Sequence, residues 1–266
     1  MSFLQRSKTK EKQPITPHPT PRSPIAEFIW HRVREKNNLE PLSVQSLQNL
    51  AEANEALKHE ALVVYVNHTD TNDVPVALSL VLAHLTNARK FAGPAGMKHY
   101  DFSRDPKNAL LLRSLKLLNI HALPVVQHND LEQYSPEARE QLVQFLKAEA
   151  QKILRRPRSI YAIAPEGTRN QSTGTLQQAR PGIGKIQKLA HNLRYMPIAI
   201  TYEKHAQNPQ VVVGSPETLG TLLNVFDVLL PDEPEQRAQV IADLLMYKLS
   251  LLLPEHLRGF YTDFEI

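Results

Sequence analysis

The chain contains no cysteine among its 266 residues. This absence excludes disulfide bonds, thiolate metal sites and a cysteine nucleophile, and it is typical of a reducing cytoplasm. No apolar run approaches the roughly 20 residues that a membrane-spanning helix needs, and the N-terminus lacks the apolar core of a secretory signal. A G-x-S-x-G nucleophile elbow is also missing, so a serine acyl-enzyme of that kind is not expected. We expect a cytoplasmic protein without a membrane-spanning segment.

The overall composition is that of a globular protein with a mild basic excess. Hydrophobic residues make up 42% of the chain, which is enough for a substantial core. The formal net charge is +4, and the sequence pI is about 9.2. A charge of this size is compatible with anionic lipid surfaces, phosphorylated substrates or nucleic acid, and it does not distinguish among these partners.

Residues 1–24 have the composition of a tail. They carry five basic side chains against one glutamate, together with five prolines that interrupt regular structure. We expect this tail to be disordered, and it could anchor the protein on anionic lipid with up to about 1 kcal/mol per basic residue. Its one aromatic residue, Phe3, offers no stacking platform, so a nucleic-acid partner is not expected. Residues 25–58 are predicted to form an N-terminal helical segment, and residues 59–266 a single α/β domain.

Apolar runs and amphipathic stretches alternate along the rest of the chain. Strands are predicted at 62–67, 89–93, 121–126, 159–164, 195–203 and 210–214. Helices are predicted from residue 25 onward, at 43–57, and near 73–85, 107–118, 136–155, 182–192, 216–230 and 234–253. This alternation predicts an α/β fold, with a central mixed, largely parallel sheet flanked by helices and an N-terminal helical segment.

A histidine and an aspartate follow the first predicted strand. Leu62–Val66 leads into Asn67-His68-Thr69-Asp70-Thr71-Asn72-Asp73, and in open α/β sheets this edge is where ligands bind. A turn there can bring the Asp73 carboxylate onto one imidazole nitrogen of His68, which leaves the other nitrogen free as a general base. The alternative is that His68 is a turn histidine and Asp73 an ordinary charge at a helix N-terminus.

A second polar motif follows the strand Ile160–Ile163. It reads Pro165-Glu166-Gly167-Thr168-Arg169, in which the guanidinium could grip a phosphate or carboxylate and the glycine allows close backbone approach or positive φ. The alternative is an exposed turn with solvated charges. Residues 180–185 come next and are expected to open a helix whose N-terminus could bind an anion.

Together, the two motifs resemble the first and third sequence blocks of the glycerolipid acyltransferase superfamily, the HX4D family of glycerol-3-phosphate and 1-acylglycerol-3-phosphate acyltransferases. Their order and approximate separation match. A fourth block, a proline within an apolar strand, is matched by Tyr-Met-Pro-Ile-Ala-Ile at 195–200. Residues 211–216 resemble a later strand of the family that ends in a glycine. The resemblance covers about residues 60–216.

The resemblance implies an O-acyltransferase of phospholipid biosynthesis, with residues 59–266 as its acyltransferase domain. His68 would deprotonate the acceptor hydroxyl for direct attack on the thioester, and Asp73 would orient the imidazole. Glycerol-3-phosphate or 1-acylglycerol-3-phosphate would be the acceptor, and Pro197 would shape the acyl-chain or thioester pocket. The substrate-binding residues that the resemblance implies are Glu166, Gly167, Thr168, Arg169, His128 and Pro197.

The same resemblance implies the partners of the reaction. The acyl donor would be acyl-CoA or acyl-carrier protein, and neither a metal nor another cofactor would be needed. The protein would work as a peripheral protein on the inner membrane surface, held by its basic tail and exposed apolar patches.

The chain departs from the family pattern at two places that concern the acceptor. The second block usually ends in a phosphate-binding arginine, whereas this chain has Gln127 followed by His128, which could substitute. Asp70 stands where many members have serine, and its charge could repel an anionic acceptor. Two alternatives therefore stay open: an acyltransferase with a non-phosphorylated lipid acceptor, and a non-catalytic lipid- or phosphate-binding relative.

Overall fold

The structure is a computed structural model, and it describes residues 24–96, 100, 115–116, 119–126, 132–168, 174–190, 192–201 and 210–264. Its α-helices are α1 Pro24–Lys36, α2 Val44–Ala56, α3 Asp73–His84, α4 Pro136–Leu154, α5 Gly182–Ile186, α6 Leu219–Val225 and α7 Pro234–Ser250. Its strands are β1 Ala61–Val66, β2 Lys90–Gly96, β3 Ile120–Val125, β4 Ser159–Ile163, β5 Leu193–Thr201, β6 Gln210–Val213 and β7 Glu217–Thr218. Two short 3-10 helices, Glu255–Leu257 and Gly259–Tyr261, follow α7.

Within these described residues the strands form one sheet in the order β3-β2-β4-β1-β5-β6, and β7 also pairs with β5. The five strands from β3 to β5 in that order run parallel, whereas β6 and β7 run antiparallel to β5. The predicted α/β fold, a mixed and largely parallel sheet flanked by helices, is confirmed.

The sheet is buried because helices cover both of its faces. All six residues of β1 are buried, as expected for a central parallel strand. On one face, Val64 joins a cluster with Leu80 of α3 and Leu50 of α2. On the other face, Tyr65 joins a cluster that includes Leu245 of α7. The fold is therefore a three-layer sandwich with β1 at its centre.

The N-terminal helices share this core. Ser43 caps α2 by accepting a hydrogen bond from the Ser46 backbone N–H at 3.1 Å. On α2 itself, Ser46 Oγ accepts from the Val213 N–H at 3.1 Å and Asn49 Nδ2 donates to the Val213 carbonyl at 2.8 Å. These two bonds fasten α2 to the edge strand β6. The α1 helix, which begins at Pro24, packs on α3.

Two predicted helices are shorter in the structure than in the prediction. The helix predicted at 182–192 ends at Ile186, because the chain must turn before β5 begins. The helix predicted at 216–230 is replaced by the two residues of β7 and by α6, whose N-cap Thr218 accepts from the Thr221 N–H at 3.2 Å. The predicted tail up to residue 23, and most of the helix predicted at 107–118, lie outside the described residues. None of the described helices is both long enough and apolar enough to cross a membrane.

Candidate active site

The two polar motifs meet at one edge of the sheet. β1 and β4 are adjacent and parallel, with Tyr65 opposite Ile163, so both motifs begin where these strands end. The contact is direct, because the His68 backbone N–H donates to Glu166 Oε1 at 2.8 Å. The carboxyl edge of the sheet therefore carries both groups of residues that were selected from the sequence.

Asn67 fixes the chain as it leaves β1. This side chain is buried, with 2% of its surface exposed. Its Nδ2 donates to the Ile200 carbonyl at 2.8 Å, and its Oδ1 accepts from the Ile200 N–H at 2.8 Å. The amide thus continues the pairing of β1 with β5 one step beyond the strand and determines where the next residue, His68, begins.

Asp73 closes the loop that carries the histidine. It is the first residue of α3 and is completely buried. Its Oδ2 accepts hydrogen bonds from the backbone N–H groups of Thr69 at 2.6 Å and Asp70 at 2.7 Å, and it lies 3.5 Å from His68 Nδ1. That separation is longer than a hydrogen bond, and catalytic contacts are often long before substrate binds. The carboxylate thus faces one nitrogen of a ring whose side chain is 20% exposed.

Both partners of this contact keep an unused polar atom. His68 Nδ1 and Asp73 Oδ1 are buried and have no hydrogen-bond partner. Buried polar atoms are usually paired, so each of these two exceptions needs a physical explanation.

Asp70 is used by its own turn. Its Oδ1 accepts from the Asn72 backbone N–H at 2.8 Å and from Asn72 Nδ2 at 3.0 Å, which is the geometry of an Asx turn. These bonds hold the segment between His68 and α3 in shape. The extra carboxylate that the sequence shows at this position thus has a local structural role.

Glu166 is a buried clamp between two loops, a role that the sequence reasoning missed. It is 1% exposed. Its Oε1 accepts from the His68 N–H, and its Oε2 accepts from the Gln177 N–H at 3.1 Å. Burial raises the pKa of Glu166 to about 7, and the negative charge of Asp73 adds to the rise while the two backbone N–H groups oppose it. Its predicted contact with substrate stays a prediction.

Gly167 makes the turn that follows Glu166. Its φ is +73°, a conformation that favours glycine, and its N–H donates to the Ala164 carbonyl at 3.1 Å. Both Gly167 and the half-buried Thr168 are accessible from solvent. The predicted turn thus presents its backbone at the surface of the site, as binding a ligand there would require.

Arg180 lies beside this turn and was not among the predicted site residues. Its backbone N–H donates to the Pro165 carbonyl at 2.8 Å. Its Cγ lies 3.3 Å from where a Cβ on Gly167 would stand, and the residue is exposed. The signal available in the sequence was its place at the start of the segment 180–185, where a helix N-terminus was expected to bind an anion.

Pro197 is buried inside β5, opposite Tyr65 in the register. Its ring lies against Gly214, where an added Cβ would come within 2.6 Å of Pro197 Cγ, and its carbonyl accepts from the Gly214 N–H at 2.9 Å. This contact explains why a glycine follows β6 directly. The pocket-forming role of Pro197 stays a prediction.

Two predicted binding residues, Arg169 and His128, lie outside the described residues. In the described stretches, no three His, Asp or Glu side chains lie close enough together to hold a metal ion.

No protein-family model matches the chain, and no curated protein matches it significantly.

Proposed function

We propose that the protein is an O-acyltransferase. It moves a fatty acyl group from acyl-CoA or acyl-carrier protein to the hydroxyl of glycerol-3-phosphate or 1-acylglycerol-3-phosphate. The observation that carries the proposal is the His68–Asp73 pair at the carboxyl edge of β1, tied to the loop after β4 through Glu166. The resemblance of both motifs to the glycerolipid acyltransferases supports the same assignment.

In the proposed mechanism His68 is the general base. The acceptor oxygen attacks the thioester carbonyl while a ring nitrogen of His68 takes the hydroxyl proton. The C–S bond then breaks, and the thiolate leaves with that proton, so the histidine is regenerated. Asp73, 3.5 Å from Nδ1, holds the ring and stabilises the imidazolium. General-base catalysis of this kind supplies roughly 10²–10⁴-fold in rate.

An anionic acceptor suits the other side of the site. The Gly167 turn exposes backbone next to the exposed Arg180, and Arg169 follows in the sequence. The guanidinium of Arg180 beside this turn would favour a phosphate. Arg180 would then contribute a cation that the second sequence block lacks, since that block has Gln127 in place of arginine.

Peripheral binding to a lipid surface is part of the proposal. On α1, Ile25 is 65% exposed and Phe28 is 64% exposed, and the basic tail precedes this helix in the sequence. Exposed apolar side chains next to basic residues favour an anionic membrane.

The experiment that tests the proposal is an acceptor panel. Thiol release from acyl-CoA and from acyl-carrier protein is measured with glycerol-3-phosphate, 1-acylglycerol-3-phosphate and neutral lipid alcohols or amines. Release that depends on a phosphorylated acceptor is expected. Release with neutral acceptors alone would replace the phosphorylated acceptor by a neutral lipid, and no release with any pair would leave a non-catalytic binding protein as the better account.

A further inference from the structure

The C-terminal segment reaches the candidate site through one loop, residues 174–180. Leu176 donates its N–H to the Leu257 carbonyl at 3.1 Å and accepts from the Phe260 N–H at 3.1 Å. Gly259 has a φ of +53°, and a Cβ added there would stand 2.3 Å from the Leu176 carbonyl oxygen. The loop and the 3-10 helix Gly259–Tyr261 are therefore packed backbone to backbone.

The Tyr261 hydroxyl holds the same loop a second time. This side chain is completely buried, and burial, followed by the charges of Asp243 and Glu166, raises its pKa well above the ordinary value for tyrosine. The protonated hydroxyl donates to Asp243 Oδ1 at 2.8 Å and accepts from the Ala179 N–H at 2.8 Å. Gln239 of α7 completes the cluster by donating to the Ala179 carbonyl and to Asp243 Oδ2, both at 2.9 Å.

The loop in turn holds the residues after β4. Gln177 donates its N–H to Glu166 Oε2 at 3.1 Å, and Arg180 donates its N–H to the Pro165 carbonyl at 2.8 Å. Glu166 uses its other oxygen for the His68 N–H at 2.8 Å. An unbroken series of buried or half-buried contacts thus runs from Tyr261 to the histidine.

We propose that Tyr261 is a positioning residue of the candidate active site, which fixes the loop 174–180 through Ala179 and Asp243 and, through that loop, the Glu166 carboxylate that holds His68. Tyr261 touches neither the histidine nor the aspartate of the pair in this arrangement. It acts on the site through the loop, and nothing in the motifs at 67–73 or 165–169 indicates such a role.

The first test is residue-resolved amide hydrogen exchange in the full chain carrying Tyr261→Phe. Loss of the hydroxyl leaves the Ala179 N–H unpaired, so the loop opens more often. We expect exchange at the Gln177 and His68 amides to accelerate at least about 10-fold relative to that of Val63 in the sheet. Acceleration confined to Ala179, or an equal acceleration at Val63, would overturn the proposal.

The matched control is Tyr195→Phe. Tyr195 is also buried at 1% exposure, but its hydroxyl has no hydrogen-bond partner, so its loss should leave exchange at Gln177 and His68 unchanged. If Tyr261→Phe does not fold, Gln239→Met carries the test. That side chain is half-buried, and the variant removes the donor to the Ala179 carbonyl, with the same expected result.

The second test is kinetic and rests on the proposed acyl transfer. Tyr261→Phe should lower kcat by about 10- to 100-fold, because a misplacement of about 1 Å in a catalytic group can cost about 10²-fold. The acceptor KM should rise as well, because the loop 174–180 ends at Arg180, which is proposed to bind the acceptor and is tied to the Pro165 carbonyl. An unchanged kcat alongside accelerated exchange at His68 would contradict the positioning role. A wild-type protein that transfers no acyl group would refute the proposed function, and the exchange experiment would still decide the positioning.

Discussion

Glu166 makes the stability of the protein depend on pH in a defined direction. Burial raises its pKa in the folded state to about 7, from an ordinary value of 4.5 that applies to the unfolded chain. Between those two values the folded protein retains a proton that the unfolded chain has released, so the free energy of unfolding falls as pH rises. The group's contribution is fully present below about pH 4.5 and is lost as pH rises through about 7. A shift of this size corresponds to roughly 3 kcal/mol over the whole window.

The assay is urea unfolding from pH 4.5 to 8.5, with Glu166→Gln as the reference. Glutamine has nearly the same shape and stays neutral, and its carbonyl can still accept one of the two backbone N–H groups. The difference in unfolding free energy between wild type and variant should therefore change by roughly 3 kcal/mol across this range, with wild type losing stability relative to the variant at high pH. Parallel curves for the two proteins would refute the reasoning.

Two further predictions concern single contacts. Asn67→Ala removes both hydrogen bonds to Ile200. We expect the free energy of unfolding, measured by urea titration, to fall by about 2–4 kcal/mol. A loss below about 0.5 kcal/mol would mean that the amide does not fix the end of β1. Arg180→Gln should raise the KM for a phosphorylated acceptor about 10-fold or more with little change in kcat, because a charge-assisted contact is lost. Lys185→Gln is its control, since that lysine is a nearby cation paired with Glu235 at 2.6 Å, and equal effects of the two variants would show a general charge effect.

Much of the fold could be predicted because the signals are local. The buried strands β1 and β4 can be recognised as β-branched apolar runs. Ser43 is a typical N-cap residue and indicates the start of α2. The short strand β7 could not be predicted in this way. It is two residues long, and it forms because Arg194 and Tyr195 at the start of β5 offer it a partner. Pairing between distant segments leaves no periodicity in the sequence.

In the candidate site, too, some residues could be predicted from the sequence and others could not. His68 and Asp73 could be selected because their types and spacing suit a base and its orienting carboxylate. The clamp made by Glu166 could not be foreseen, since its partners are backbone N–H groups of residues 98 and 11 positions away. Tyr261 is further removed, because it meets Ala179 from 82 positions along the chain. A backbone partner can be any residue, so such contacts become visible only in the folded chain.

The central claim is that His68 is the base of an acyl transfer. The most direct measurement is the rate of thiol release from acyl-CoA or acyl-carrier protein with a phosphorylated acceptor, for wild type, His68→Ala and His59→Ala. His59 is an exposed histidine in the turn before β1, and it serves as the control. The account predicts that His68→Ala lowers kcat at least about 10²-fold while thermal unfolding stays cooperative, and that His59→Ala matches wild type. Wild-type turnover in a folded His68→Ala variant would contradict it.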